Sequence, residues 1–139
     1  MAPTIAVSEL LKGTGLALQD FDYYEIHEAF AAQVLTTLKA WESEEYCRKR
    51  LGRSAALGPI DRGKLNVKGS SIAFGHPFAA TGARILAVMA KLLHKGGGKR
   101  GLISICTAGG MGVAAIVEGV EMHVLPKAEK PAEIAAGVV

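Results

Sequence analysis

The sequence predicts an α/β fold, a mixed sheet flanked by helices and closed by an antiparallel hairpin, and three features carry that expectation. Helix-periodic and strand-like segments alternate along the chain, a long amphipathic helix follows Pro77, and two apolar runs near the end are joined by the glycine-rich stretch 107–112. The 139 residues are 50% apolar, with 16 basic and 13 acidic side chains and a formal charge of +3. That is enough chain for a single core, and it excludes fibrous and wholly disordered classes.

Taken in order, residues 3–12 predict a helix with apolar Ile5, Val7, Leu10 and Leu11, proline in its first turn, and Gly13 and Gly15 beyond its end. Residues 23–27 are aromatic and β-branched and predict a strand ending on His27, after a turn bracketed by Asp20 and Asp22. From Ala29 the stripe Phe30, Val34, Leu38 and Trp41 predicts a second helix, which places HEAF at a strand-to-helix junction. Residues 42–66 are polar, basic and marked by glycine, and read as a long excursion with one helical turn around 44–51. Loops of that length inside a small chain are functional or disordered.

Residues 66–77 read as a glycine-bounded extended segment, and Pro77 opens the clearest helix. It carries Ile85, Val88, Met89 and Leu92 on one side, Lys91, His94 and Lys95 in its last turn, and Gly96, Gly97 and Gly98 as its stop. Its small first turns, Ala79 to Ala83, admit close approach either by a ligand or by the sheet on which the helix packs. Residues 102–106 and 113–120 predict the two strands of an antiparallel hairpin, with Cys106 at its mouth. One domain over 1–124 and a flexible tail over 125–139 complete the expected organisation.

Composition narrows the function classes. No run reaches the ~18 apolar residues of a membrane span, and Met-Ala-Pro-Thr is unlike a signal peptide. Cys47 and Cys106 have neither CxxC spacing nor scaffold density, so free thiols in the cytoplasm are expected. The cluster Arg48, Lys49, Arg50 and Arg53 reads as a solvated face, and +3 is too weak a charge to predict nucleic-acid binding.

Three residues stand out chemically: His27 at a strand end, His76 between glycine and proline at a helix start, and Cys106 opening a glycine-rich turn. A thiol beside an imidazole can form a thiolate at neutral pH, and the backbone N–H groups of such a turn can hold an oxyanion. Acyl transfer is the class this chemistry suggests. The spacing of the three residues gives no metal-site pattern, and Gly96 to Gly98 follow a helix and so form no phosphate-cradling N-terminus.

The ordered runs HEAFAAQ (27–33), NVKGSSIAFGHPFAATGAR (66–84) and CTAGGMG (106–112) resemble the carboxyl-terminal part of a thiolase, over roughly residues 2–121. Histidine before EAF is similar to the thiolase subunits of fatty-acid β-oxidation complexes and to related acetyl-CoA acetyltransferases. The resemblance implies coenzyme A thioesters as substrates, no cofactor, and a homo-oligomeric complete protein. It implies that His76 activates a nucleophilic cysteine and donates to one oxyanion hole, where His27 positions a water. Cys106 is then the acid/base for the acetyl Cα or the CoA thiol, the backbone of Ala108 and Gly109 builds the second oxyanion hole, and Gly75, Pro77 and Phe78 belong to the substrate pocket.

The acyl-carrying cysteine of a thiolase lies in its first half, and Cys47, in the basic excursion without a glycine-rich turn, does not replace it. The family's half-sheet order 3-2-1-4-5 further implies that the strand ending at His27 stands apart from the hairpin, separated by two absent neighbours. Open sheet edges are unfavourable, so the expectation is a fragment, or a chain that pairs with an amino-terminal thiolase portion. Two other readings are a non-catalytic assembly or CoA-binding module with the same fold, and a small hydrolase in which Cys106 is the nucleophile and His76 its base.

Overall fold

A computed structural model describes residues 1–120. The expected tail over 125–139, and the boundary at 124, lie outside the described residues. In chain order the elements are α1 (Ala2–Thr14), β1 (Tyr23–Ile26), α2 (Ala31–Glu42), α3 (Glu44–Leu51), α4 (Ser71–Phe74), α5 (Thr81–Gly96), β2 (Arg100–Thr107) and β3 (Met111–Glu118). The mixed α/β architecture expected from the sequence is the one observed.

The sheet runs β1-β2-β3, with β1 parallel to β2 and β2 antiparallel to β3. The expected gap of two strands between β1 and the hairpin is therefore not present. Tyr23, Tyr24, Glu25 and Ile26 register directly with Gly101, Leu102, Ile103 and Ser104. The ladder continues at both ends, where Asp22 N–H donates to Arg100 O and His27 N–H donates to Ser104 O, each at 2.9 Å. The Asp22 carboxylate also accepts from the backbone N–H groups of Lys99 and Arg100, at 2.6 and 3.0 Å. Those two bonds fix the register and hold its carboxyl below the usual carboxylate value.

Alternation along the strands sorts side chains into two layers. Tyr24, Ile26 and Leu102 face a core with Val7 and Leu11 of α1, Val34, Leu38 and Trp41 of α2, and Cys47 and Leu51 of α3. Ile103 faces the other side, where it packs with Ile85, Met89 and Leu93 of α5, flanked by the half-buried Tyr23, Ile105 and Val117. A helix layer thus covers each face.

Three local expectations are corrected. Phe30 does not join the stripe of α2, because it precedes the helix in extended conformation and is 75% exposed. The stretch after Asn66 is not extended throughout, since residues 71–74 wind into the single turn of α4. Pro77 does not open α5, which starts at Thr81; residues 77–80 make a turn first, and Ala79 takes the left-handed φ of 66°, which a continuous helix does not allow.

The excursion is also more ordered than a free loop. Ser43 caps α3, accepting from Tyr46 N–H at 3.2 Å, and Leu57, Ile60 and Leu65 pack on the core. Arg53 donates through Nε to Ser8 Oγ at 3.0 Å, and Gln19 donates to the carbonyls of Leu57 and Pro59. Leu65 and Asn66 then cover the outer edge of β1. Leu65 bridges Tyr24, and the Asn66 side chain pairs with both N–H and C=O of Ile26 at 2.9 Å.

Gly112 is required by space alone. A Cβ on Gly112 would lie 2.6 Å from the carbonyl carbon of Ala2, where β3 abuts the start of α1. Gly112→Ala is expected to lower unfolding stability by about 2 kcal/mol through overpacking. The urea midpoint of the variant measures it, and an unchanged midpoint would show that α1 moves away freely.

Candidate active site

The ends of β1 and β2 and the approach to α5 meet at a cleft of about 740 Å³. Its lining includes His27, His76, Phe78, Ala79, Cys106 and Ala108. The three residues that stand out in the sequence therefore share one concavity. Gly75, Pro77 and Gly109, also named from the sequence, are not among its lining residues. Gly109 and Gly110 take left-handed φ values of 77° and 75° that let the chain turn between β2 and β3. Ala108 needs no such conformation.

His27 lies one residue beyond β1 and is 1% exposed. Its ring centroid is 4.4 Å from that of His76, at 51°. The His27 Nδ1 is 2.9 Å from Ser71 Oγ, and that oxygen accepts from Arg84 Nη2 at 2.9 Å. Burial first, then the neighbouring His76 and Arg84, hold His27 below the ordinary histidine pKa, so the ring is neutral at pH 7.

His76, by contrast, is exposed to the cleft. Its Nδ1 is 2.7 Å from Thr81 Oγ1, whose hydroxyl donates to Pro77 O at 3.2 Å. With the threonine proton directed at that carbonyl, Oγ1 accepts from His76 Nδ1–H and leaves Nε2 with its lone pair. Phe78 packs edge-on against His76, with centroids 5.0 Å apart, and is 85% exposed. Ala79, strained at positive φ, completes this wall.

Cys106 is half-buried at the second-last position of β2, opposite Gly112. Cys47 is a structural residue. It is fully buried, and its Sγ–H points at the carbonyls of Ala40 and Trp41 at 3.6 and 3.5 Å.

Residues that the sequence did not single out hold the site in place. Glu28 accepts from Asn66 Nδ2 at 2.8 Å and from Ile72 N–H at 3.1 Å, tying the HEAF junction to α4. Ser71, Thr81 and Arg84 support the two rings. Glu28 lies in HEAF, and Asn66, Ser71, Thr81 and Arg84 lie in the run 66–84, but as common polar residues none has a spacing that marks its supporting role. No group of three metal-ligating side chains occurs among the described residues, and no helix among them is long and apolar enough to cross a membrane. A second cleft of about 410 Å³ is lined by Tyr23, Lys68, Lys91 and Lys95 and has no histidine, cysteine or carboxylate in its lining.

Chemically, the main cleft offers a thiol, an imidazole with an open nitrogen, a second neutral imidazole and the backbone of a tight turn. Comparisons with known proteins point to one family. The family profile described as "Thiolase, C-terminal domain" matches residues 1–119. A 3-ketoacyl-CoA thiolase of Pectobacterium atrosepticum is 49% identical over 118 residues, covering 85% of this chain and 27% of that protein. One from Shewanella woodyi is 48% identical over the same shares. Among solved structures, an acetyl-CoA acetyltransferase from Syntrophomonas wolfei superposes with a TM-score of 0.66 at 36% identity, covering 82% of this chain and 26% of that one. The chain thus spans 27% of the length of the curated relatives it matches.

Proposed function

The chain belongs to the thiolase family as its C-terminal domain, and from that premise we propose that it supplies the acid/base half of an acyl transfer between 3-ketoacyl-CoA or acetyl-CoA and CoA. The observation that carries this reading is the convergence of His27, His76 and Cys106 on one cleft. The acyl group is carried by a cysteine of an amino-terminal portion, corresponding to length of the relatives that this chain does not cover.

In the proposed thiolysis, His76 Nε2 takes the proton of that cysteine, and the thiolate adds to the 3-keto carbon. The bond between C2 and C3 breaks, leaving an acyl-cysteine and the enolate of acetyl-CoA. Cys106 protonates the enolate carbon and is left as a thiolate. It then takes the proton of the incoming CoA thiol, whose sulfur displaces the acyl group from the cysteine and restores the starting states. The proton on His76 returns to the departing cysteine. Donors from the turn at Ala108 and from His27 hold the oxyanions. Condensation runs the same steps in reverse. The substrates are coenzyme A thioesters with no resident cofactor, the location is the cytoplasm, and the complete protein is a homo-oligomer.

Mixing the chain with the amino-terminal portion of a 3-ketoacyl-CoA thiolase tests the proposal. CoA-dependent cleavage of acetoacetyl-CoA is expected in the mixture and in neither part alone. A folded, stable complex without turnover would instead support a non-catalytic assembly module.

A further inference from the structure

We infer that Ser71, held by Arg84, locks His27 in the tautomer with its proton on Nε2, so that His27 is a fixed hydrogen-bond donor to the cleft. Both are positioning residues.

The argument is a count of protons. Arg84 carries only donors, so at 2.9 Å the Ser71 oxygen accepts from Nη2. That oxygen keeps one free lone pair and its own proton. Its other recorded partner is His27 Nδ1, also at 2.9 Å. If Nδ1 carried a proton it would donate to the remaining lone pair, and the serine proton would have no acceptor among the described residues. Ser71 is 5% exposed and lies between Arg84 and the ring, so water does not replace that acceptor, whereas Nε2 is the ring nitrogen left to the cleft, where water can accept its proton. A buried donor left without a partner costs more than the hydrogen bond contributes. The serine proton therefore goes to Nδ1, and the neutral ring carries its own proton on Nε2.

The guanidinium is itself confined. Its Nε and Nη1 are buried without hydrogen-bond partners, and it lies 5.8 Å from the Phe74 ring centroid. It cannot turn an acceptor toward Ser71, because it has none. The His27 Nε2 makes no hydrogen bond among the described residues, and the ring lines the cleft beside His76. The two adjacent rings are thus complementary. His76, held through Nδ1 by Thr81, presents a lone pair, whereas His27, held through Nδ1 by Ser71, presents a proton. For catalysis this deepens the proposed acyl transfer, on which it rests, by giving His27 a stabilising role toward an oxyanion and reserving base chemistry for His76.

The tautomer can be read without turnover, so its test is separate from that of the reaction. In the 15N-labelled 139-residue chain at neutral pH, long-range 1H–15N correlation spectra are expected to show His27 with a pyrrole-type Nε2 and a pyridine-type Nδ1. Ser71→Ala is expected to move the Nδ1 resonance toward that of an unbonded nitrogen and to make the Nδ1–H form detectable. Ser71→Thr, which keeps the hydroxyl, should restore the original pattern, and Arg84→Gln should again populate both forms. A protonated Nδ1 in the unsubstituted chain overturns the inference whether or not any variant folds. So does a Ser71→Ala spectrum of a folded chain in which the His27 ring is unchanged.

Discussion

His76→Ala is expected to lower kcat of the reconstituted enzyme by about 10³-fold, in the range ascribed to a positioned general base. The substitution removes the ring whose Nε2 faces the cleft, while Thr81 retains its bond to Pro77 O. Because His76 is exposed, no cavity forms in the core, and the unfolding midpoint should stay within about 0.5 kcal/mol of the parent. Cys106→Ala is expected to cost a similar factor, since without its thiol nothing in the proposed scheme protonates the enolate or accepts the CoA proton. Residues acting as one unit are non-additive, so the double variant should be scarcely slower than either single one. Single-turnover assays of acyl-cysteine formation separate the two roles. His76→Ala slows acylation itself, whereas Cys106→Ala blocks release of acetyl-CoA. Turnover near the parent level in either variant would remove the catalytic assignment of that residue.

That the rings and the thiol share a cleft was legible in the sequence through the ordered runs 27–33, 66–84 and 106–112 that carry His27, His76 and Cys106 and through the places of these residues at element ends. Side chains there point past the packed layers. The helices that rest on periodicity were equally legible, as Val34, Leu38 and Trp41 are buried on one face of α2, and Ile85 and Met89 on one face of α5. The starts of those helices were not. Phe30 has the right spacing but stands outside the helix, and Pro77 sits in a turn because the left-handed Ala79 interrupts its path to α5. The single turn of α4 is too short to show a period. Strand adjacency was misread because it depends on pairing between distant segments. Nothing local in residues 23–26 reveals that Arg100 to Ser104 lie beside them. The supporting shell was least legible: Ser71 matters only because Arg84, thirteen positions on, reaches its hydroxyl.

Glu25→Gln should abolish most of a fall in stability that the parent chain shows as pH rises. Glu25 lies on β1 and is fully buried, and neither carboxylate oxygen has a hydrogen-bond partner among the described residues. Burial dominates and favours the neutral acid. The positive charge of Arg84 opposes it only in part, and Glu28 adds to it, so the carboxyl is pushed up from 4.5 to about 7. The unfolded chain ionises at the lower value and the folded chain at the higher. The stabilising contribution of the neutral acid is therefore complete below the unfolded pKa and is lost as pH rises through the folded one. A shift of that size corresponds to about 3 kcal/mol between the two limits. His27 works in the opposite sense. Its pKa is lowered in the fold, first by burial and then by His76 and Arg84, so its contribution is present above the unfolded histidine value and is lost as pH falls. The two contributions thus change in opposite directions with pH, that of Glu25 falling and that of His27 rising as pH increases. Urea unfolding at about pH 5 and about pH 8 measures the difference. The parent midpoint should fall relative to that of Glu25→Gln between them, because the variant has no carboxyl proton to lose and keeps only the opposing rise that His27 supplies. An equal fall in both would place the pH dependence elsewhere and would mean that the Glu25 carboxylate is accommodated after ionising, with the Arg84 charge that already acts on it as its counterion.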